Sequence, residues 1–192
     1  MSSAIVYGNS GKIGQMKRIT KETPVSPANC YGDSKVQAEK GLLALGDQNF
    51  KIVILRPPMI YGKDCKGNYQ MLRKIALKIP FFPYIKNERS MLYIDNLCEF
   101  VKLMIDNDES GIFWPQNDEY SNTSELVKQI ALANNKKVVL IPYCTWILKI
   151  ASRCTGLVNK AFGNLAYEKD ISEYKEKYQV YSLVDSINKI EK

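Results

Sequence analysis

The chain contains no histidine. That absence removes Ser-His-Asp triads, Cys-His dyads and His-ligated metals together. Proton transfer near neutral pH therefore falls to Tyr, Lys, Cys or a carboxylate. The five cysteines, Cys30, Cys65, Cys98, Cys144 and Cys154, are odd in number and widely spaced, with no CxxC pair. They predict neither a disulfide framework nor a zinc site, and a reducing, cytoplasmic setting suits them. No apolar run is long enough to span a bilayer: the longest, Val138 to Ile150, is broken by Pro142 and Lys149. Met1-Ser2-Ser3 lacks the basic start of a secretory leader. There is no internal repeat and no low-complexity segment. Acidic residues are the minority, 20 against 27 Lys and Arg, giving a net charge of +7 and a pI of about 9.0. The lysines are scattered, with no block of like charge, so phosphate-bearing small molecules suit this chain better than nucleic acid or a membrane surface.

What is present is an ordinary globular composition, 45% hydrophobic and 24% charged over 192 residues. That length suits one domain, or a large domain with a small appendage, and lets the fold bury roughly 70% of the unfolded surface. Ala4–Tyr7 reads as a short buried strand stopped by Gly8. Residues 8–30 read as a loop, and Tyr31 to Leu45 as a helix packed through Val36, Leu42, Leu43 and Leu45. Phe50 to Leu55 is a β-branched strand ended by Arg56-Pro57-Pro58. A helix follows over Gly67–Ile79, then a loop through Phe81 and Pro83. A strand at Ser90–Ile94 leads to a helix, Asn96–Asp106, with Asp95 as its N-cap. Gly111–Trp114 is a strand. A helix capped by Ser121 or Thr123 runs to Ala133, and Lys137–Pro142 is a strand. Helices are predicted at Thr145–Thr155 and Val184–Ile190. Alternating strands and helices predict an α/β class with parallel pairing.

Two motifs compete for attention. Gly8-x-x-Gly11-x-x-Gly14 follows an apolar run, as a dinucleotide-binding loop does. Such a loop must open directly into an amphipathic helix and then a second strand with an acidic residue for the ribose. Here the chain continues into a segment with two prolines, and Glu22 falls in a loop, so the glycines read as a decoy. Tyr31-Gly-Asp-Ser-Lys35 is the better signal. It puts a phenol and an ammonium one helical turn apart. Bringing a phenol from pKa about 10 to about 7 takes roughly 4 kcal/mol. A cation about 4 Å away at an effective dielectric near 20 supplies a term of that order.

The wider pattern is Ser3-Ala-Ile-Val-Tyr-Gly8, then Tyr31-xxx-Lys35 with Glu39, then Ile54-Leu-Arg-Pro-Pro-Met-Ile-Tyr-Gly62, then Arg89-Ser-Met-Leu-Tyr-Ile-Asp95. This succession resembles the extended short-chain dehydrogenase/reductase family, in its NAD-dependent nucleotide-sugar epimerase/dehydratase branch, the one that includes UDP-glucose 4-epimerase. The resemblance implies a partial Rossmann (doubly wound) parallel sheet plus a small α/β substrate-binding lobe. Residues 1–62 would be a remnant of the NAD-binding domain, and 63–192 mainly the lobe, with some elements returning to the sheet. It implies Tyr31 as acid/base, Lys35 lowering its pKa and holding the nicotinamide ribose, Ser3 bonding the same sugar oxygen, and Pro58 beside the nicotinamide. Arg89 would grip the nucleotide diphosphate and Asn68 would contact substrate. The cofactor would be NAD, with NADP left open, and the substrate a UDP- or dTDP-sugar.

The family's phosphate-binding glycines lie far upstream of YxxxK, whereas only 30 residues precede Tyr31 here. The chain therefore reads as the C-terminal portion of such an enzyme, without the full cofactor pocket and inactive alone. Self-association, or pairing with a missing N-terminal part, would cover its open edge. Met59 stands where such epimerases often carry Asn, and no Arg stands just before Phe162. A reductase of the same family and a non-catalytic substrate-lobe module are the alternatives.

Overall fold

A computed structural model describes residues 1–11, 15–142 and 163–192. Every strand ladder in it is parallel. β2 (Val53–Leu55) pairs with β6 (Gly111–Phe113), and β3 (Met59–Tyr61) with β5 (Met91–Tyr93). β4 (Phe81–Pro83) pairs with β7 (Val139–Ile141), and β1 (Arg18–Ile19) with β8 (Ala166–Tyr167). The helices are α1 (Cys30–Leu43), α2 (Asn68–Lys78), α3 (Ile94–Asp106), α4 (Thr123–Ala133) and α5 (Leu183–Glu191). The α/β class and the parallel pairing agree with the sequence reading. The helix expected at Thr145–Thr155 lies outside the described residues.

Ala4–Tyr7 is not a strand but a single 3-10 turn. The Ser3 hydroxyl accepts from the Ile5 N–H at 3.3 Å, and the Gly8 N–H closes the turn on Ile5 O at 2.9 Å. This local serine-capped geometry competes with a ladder. The strand idea survives only at the start of the segment. Ser2 N–H donates to Leu55 O at 2.7 Å and Ala4 N–H to Pro57 O at 2.9 Å, so residues 2–4 lie alongside β2 opposite β6.

Asn29 starts α1, its side chain accepting from Gly32 N–H at 2.8 Å. α4 is capped by Asn122, which accepts from the Ser124 and Glu125 amides, rather than by Ser121 or Thr123. Asp95 sits in the first turn of α3 instead of capping it. Two short strands, β1 and β4, fall in stretches read as loops, and β8 falls in the tail, where no element was expected before the last helix. β3 resumes directly after Pro57-Pro58, where the sequence suggested only a stop.

The main core packs α2, α4 and α5 over β3, β5 and β4 through Tyr61, Tyr69, Leu72, Phe82, Val127, Ile130 and Ile187. A second cluster seats Leu97, Phe100, Leu103 and Met104 of α3 against Leu55 and Leu92. A third joins Val6 and Tyr7 to Ile19, Tyr167 and Ile171. Among the described residues, no helix is long and apolar enough to cross a membrane.

Gly62 marks the tightest join. A Cβ there would lie 2.6 Å from Ile94 Cγ2 and 3.1 Å from its Cβ. Ile94 is β-branched and opens α3, so it has little room to turn away. Gly62→Ala is expected to destabilise the protein by about 1–3 kcal/mol, the usual effect of overpacking. A melting temperature equal to wild type would show that this join yields.

Candidate active site

Tyr31 is the second residue of α1 and is 57% exposed. Lys35, one turn on, holds its Nζ 5.6 Å from the Tyr31 ring centroid and donates to Met1 O at 3.3 Å. The expected phenol–ammonium pair is therefore formed, and it faces the start of the chain. Gly32 explains how the helix gets so close. A Cβ on it would sit 3.0 Å from Ile5 O and 3.0 Å from Pro27 Cβ, so any larger residue would push the first turn of α1 back from the Ser3 turn by a few tenths of an ångström.

Ser3 is half-buried, and its hydroxyl oxygen already accepts from Ile5 N–H. Its own O–H remains available as a donor. Pro58 is buried one residue beyond Pro57, whose carbonyl receives the Ala4 N–H. Tyr31, Lys35, Ser3 and Pro58 thus come from neighbouring pieces of backbone. Arg89 and Asn68 belong to other parts of the fold. Arg89 is 9% exposed, not a surface residue, and its main chain bonds to Ser121 in both directions. Burial holds its guanidinium below the ordinary arginine value. Its neighbour Glu88 pairs with Arg18 at 2.7 Å. Asn68 opens α2 behind Gly67, beside a surface depression of about 520 Å³ lined by Asp64, Lys66, Gln70 and Lys74.

The glycine loop has no phosphate cradle among the described residues. Gly8 N–H is spent on Ile5 O, and Gly11 N–H on Asn164 O at 2.8 Å. No α-helix begins before Cys30 in the described part of this stretch. Gly14 lies outside the described residues.

The sequence reading missed the centre of this region. Arg56 donates from Nε and Nη2 to the two carboxylate oxygens of Glu39, at 3.1 and 2.6 Å. Its Nη1 donates to Tyr7 OH at 2.7 Å, which also accepts from Trp114 Nε1 at 2.6 Å. The Tyr7 and Trp114 rings lie 5.3 and 6.0 Å from the guanidinium carbon. The Arg56 and Glu39 side chains are only 9% and 7% exposed. Glu39 follows Tyr31 and Lys35 at i+8 and i+4, and that stripe was the available signal. The leucines expected to bury α1 are instead exposed, and the helix buries only Gly32 and Glu39.

A sequence profile of the NAD dependent epimerase/dehydratase family matches residues 1–114. The chain is 32% identical over 160 residues to UDP-glucose 4-epimerase of Vibrio cholerae, covering 79% of this chain and 48% of that protein. It is 30% identical over 149 residues to N-acetyl-alpha-D-glucosaminyl-diphospho-ditrans,octacis-undecaprenol 4-epimerase of Escherichia coli O157:H7, covering 73% and 44%. The chain spans about half the length of these curated relatives. Among solved structures, the UDP-glucose 4-epimerase of Thermus thermophilus complexed with NAD superposes with a TM-score of 0.68 at 18% identity, over 97% of this chain and 60% of that one. That likeness shows the Rossmann-type fold.

Burial pushes the Glu39 carboxyl up, but the Arg56 hydrogen bonds and charge outweigh it and leave it below the ordinary glutamate value. A depressed carboxyl stabilises the fold fully above its unfolded pKa, about 4.3, and that stabilisation is lost as pH falls through the lower folded value. Glu39→Gln is expected to destabilise by about 3–5 kcal/mol at neutral pH, because it strands a buried guanidinium. Urea melts should show the gap from wild type closing below about pH 4. A gap that is constant with pH would refute the assignment.

Proposed function

Because this chain belongs to the NAD dependent epimerase/dehydratase family, we propose that it carries the acid/base and substrate-contacting residues of an NAD-dependent nucleotide-sugar epimerase or dehydratase. The observation that carries the reading is the exposed Tyr31 phenol with the Lys35 ammonium over its ring, on a helix pressed against the Ser3 turn.

The roles follow from the groups. Tyr31 takes a proton from a sugar hydroxyl as the carbon it sits on is oxidised, and returns it when the carbonyl is reduced. Lys35 supplies the positive charge that stabilises the phenolate as the proton leaves. Ser3 donates its free O–H to the same sugar oxygen. Bound NAD supplies the hydride acceptor. The residues present fit its nicotinamide end, where Lys35 can meet ribose hydroxyls and the buried Pro58 can wall the ring. Among the described residues the glycine loop offers no cradle for its pyrophosphate, since the Gly8 and Gly11 amides are used within the chain. Arg89 is the proposed diphosphate ligand, as a planar fork suits a phosphate pair, and Asn68 a further substrate contact. The substrate class is a UDP- or dTDP-sugar, and the setting the cytoplasm, in keeping with the free thiols of Cys30, Cys65 and Cys98.

The spent glycine amides favour a second reading, a substrate-binding module that does no redox chemistry alone. Self-association or pairing with another polypeptide would then complete the site. A groove beside β2, lined by the apolar Met1, Val53, Leu55, Val101, Met104 and Ile105 together with Lys51, Asp108 and Glu109, supports it.

Three measurements separate these readings. UDP is expected to raise the melting temperature under all of them. Turnover of a UDP-sugar with NAD, falling about 10²–10⁴-fold in Tyr31→Phe while the UDP shift persists, supports the enzyme. Unchanged turnover in Tyr31→Phe would remove Tyr31 from the chemistry. UDP binding with no change in the nicotinamide fluorescence of added NADH supports the module. Light scattering that shows a monomer at every concentration, with or without ligand, would end the self-association proposal.

A further inference from the structure

We infer that Arg56 is a positioning residue, whose guanidinium sets the relative placement of the Tyr31–Lys35 helix, the Ser3 turn and the Pro57-Pro58 corner. The inference rests on the roles proposed above for Tyr31, Lys35, Ser3 and Pro58, and extends them to a residue that touches none of the reacting groups.

The first observation is what α1 lacks. Of its 14 residues only Gly32 and Glu39 are buried. A helix held by an apolar face is placed by many small contacts and tolerates sliding. On α1 that face shrinks to the partly buried Val36, which packs on the Val6–Tyr7–Ile19 cluster, while Leu42 and Leu43 stand in solvent. Two further points set its position. Gly32 sets how near it comes to the Ser3 turn. Glu39, about 12 Å farther along at 1.5 Å per residue from Tyr31, sets its slide and rotation, because its two oxygens meet two nitrogens of a planar fork. A bidentate pair fixes direction as well as distance.

The second observation is that the same guanidinium faces the other way as well. Nη1 donates to Tyr7 OH, and Tyr7 ends the turn that Ser3 begins. Trp114 Nε1 holds that hydroxyl from the end of β6. The Arg56 backbone is fixed too, its N–H on Phe113 O at 2.9 Å and its carbonyl receiving Tyr167 OH at 2.6 Å. Pro58 follows two residues later. One side chain, anchored to β2 and flanked by two rings, thus meets both segments that carry the proposed proton-handling groups. A lysine keeps the charge but cannot reach Glu39 with two nitrogens and Tyr7 with a third.

Amide hydrogen exchange on the full chain tests this without needing turnover. Arg56→Lys is expected to speed exchange about tenfold or more in residues 1–8 and 30–43 together, while amides of α2, α4 and α5 keep wild-type rates. Tyr7→Phe cuts only one link and is expected to loosen 1–8 alone. Glu39→Gln, nearly isosteric, is expected to speed exchange in 30–43 beyond the rise that its lower overall stability gives the rest of the molecule, and it stands in where Arg56→Lys does not fold. A uniform rise through the molecule, an unchanged pattern, or loss of fold in both Arg56→Lys and Glu39→Gln would overturn the inference, since the pair would then be a general support. Where UDP-sugar turnover is measurable, Arg56→Lys should lower kcat with KM within about twofold; a change confined to KM counts against it. The two claims fail separately. Active Tyr31→Phe removes the acid/base reading and leaves the exchange pattern standing. A uniform exchange response removes the positioning role and leaves inactive Tyr31→Phe standing.

Discussion

The buried pair of Arg56 and Glu39 is the constraint on which the arrangement around Tyr31 depends. Taking two charges out of water costs several kcal/mol per ion, and mutual attraction offsets this only with good geometry and further hydrogen bonds. Both conditions are met here. The carboxylate receives two donors, the third guanidinium group meets Tyr7, and two aromatic rings lie against the cation. Such a pair is weak evidence for stability; the role proposed for it here is specificity of placement. A leucine pair at the same position would bury more apolar area and would permit α1 to roll. Two carboxylate oxygens matched to two nitrogens permit one orientation.

That orientation matters because the surrounding sheet is built from short pieces. Each ladder has two or three residue pairs, too few to be rigid alone. Side-chain hydrogen bonds join the pieces. Tyr167 of β8 donates to Arg56 O at the end of β2. Ser90 donates to Gln116 and accepts from Tyr167 N–H, linking β5, the chain after β6, and β8. Asn117 donates to Tyr61 OH on β3, which also meets Ser186 of α5. Asn96 of α3 bonds both Asn117 and the Tyr181 main chain. Buried polar groups of this kind are costly unless satisfied. Satisfied, they set strand ends relative to one another more sharply than apolar packing does.

The parts legible in the sequence were those with local causes. The helix expected from Tyr31 to Leu45 forms as α1, Cys30–Leu43, the β-branched run makes β2, and α3 forms where its helix was expected. Tyr31 and Lys35 were legible because helix geometry alone brings i and i+4 together. Arg56 was not, because its partners lie at positions 7, 39, 114 and 167, and nothing local says that a strand-ending arginine points inward. β1 and β4 were read as loops, and β8 went unassigned, for the same reason: two or three residues carry no periodicity, and only a distant partner makes them strands. The Ala4–Tyr7 stretch misled in the opposite direction. Its apolar run satisfies a strand pattern, but a serine able to cap a turn precedes it and a glycine at φ 85° ends it.

The glycines at 8 and 11 show why a motif needs its context. A phosphate loop works because consecutive amides point outward at the head of a helix, with no partner in the protein. Here Gly8 is needed for its positive φ and Gly11 for close backbone approach. A Cβ on Gly11 would lie 2.8 Å from Gln15 O and 3.1 Å from Asn164 O. The glycines let the loop lie flat on the segment before β8, and their amides are consumed in doing so. The same physical test, asking where each amide goes, separates the two motifs of this chain. In the described part of the glycine loop, the Gly8 and Gly11 amides are satisfied internally. At Tyr31 the phenol stands exposed beside an ammonium, while the helix that carries it is held by the close approach at the adjacent Gly32 and by the ion pair at Glu39, about two turns on. An exposed phenol on a restrained helix is the arrangement that the proposed acid/base role requires.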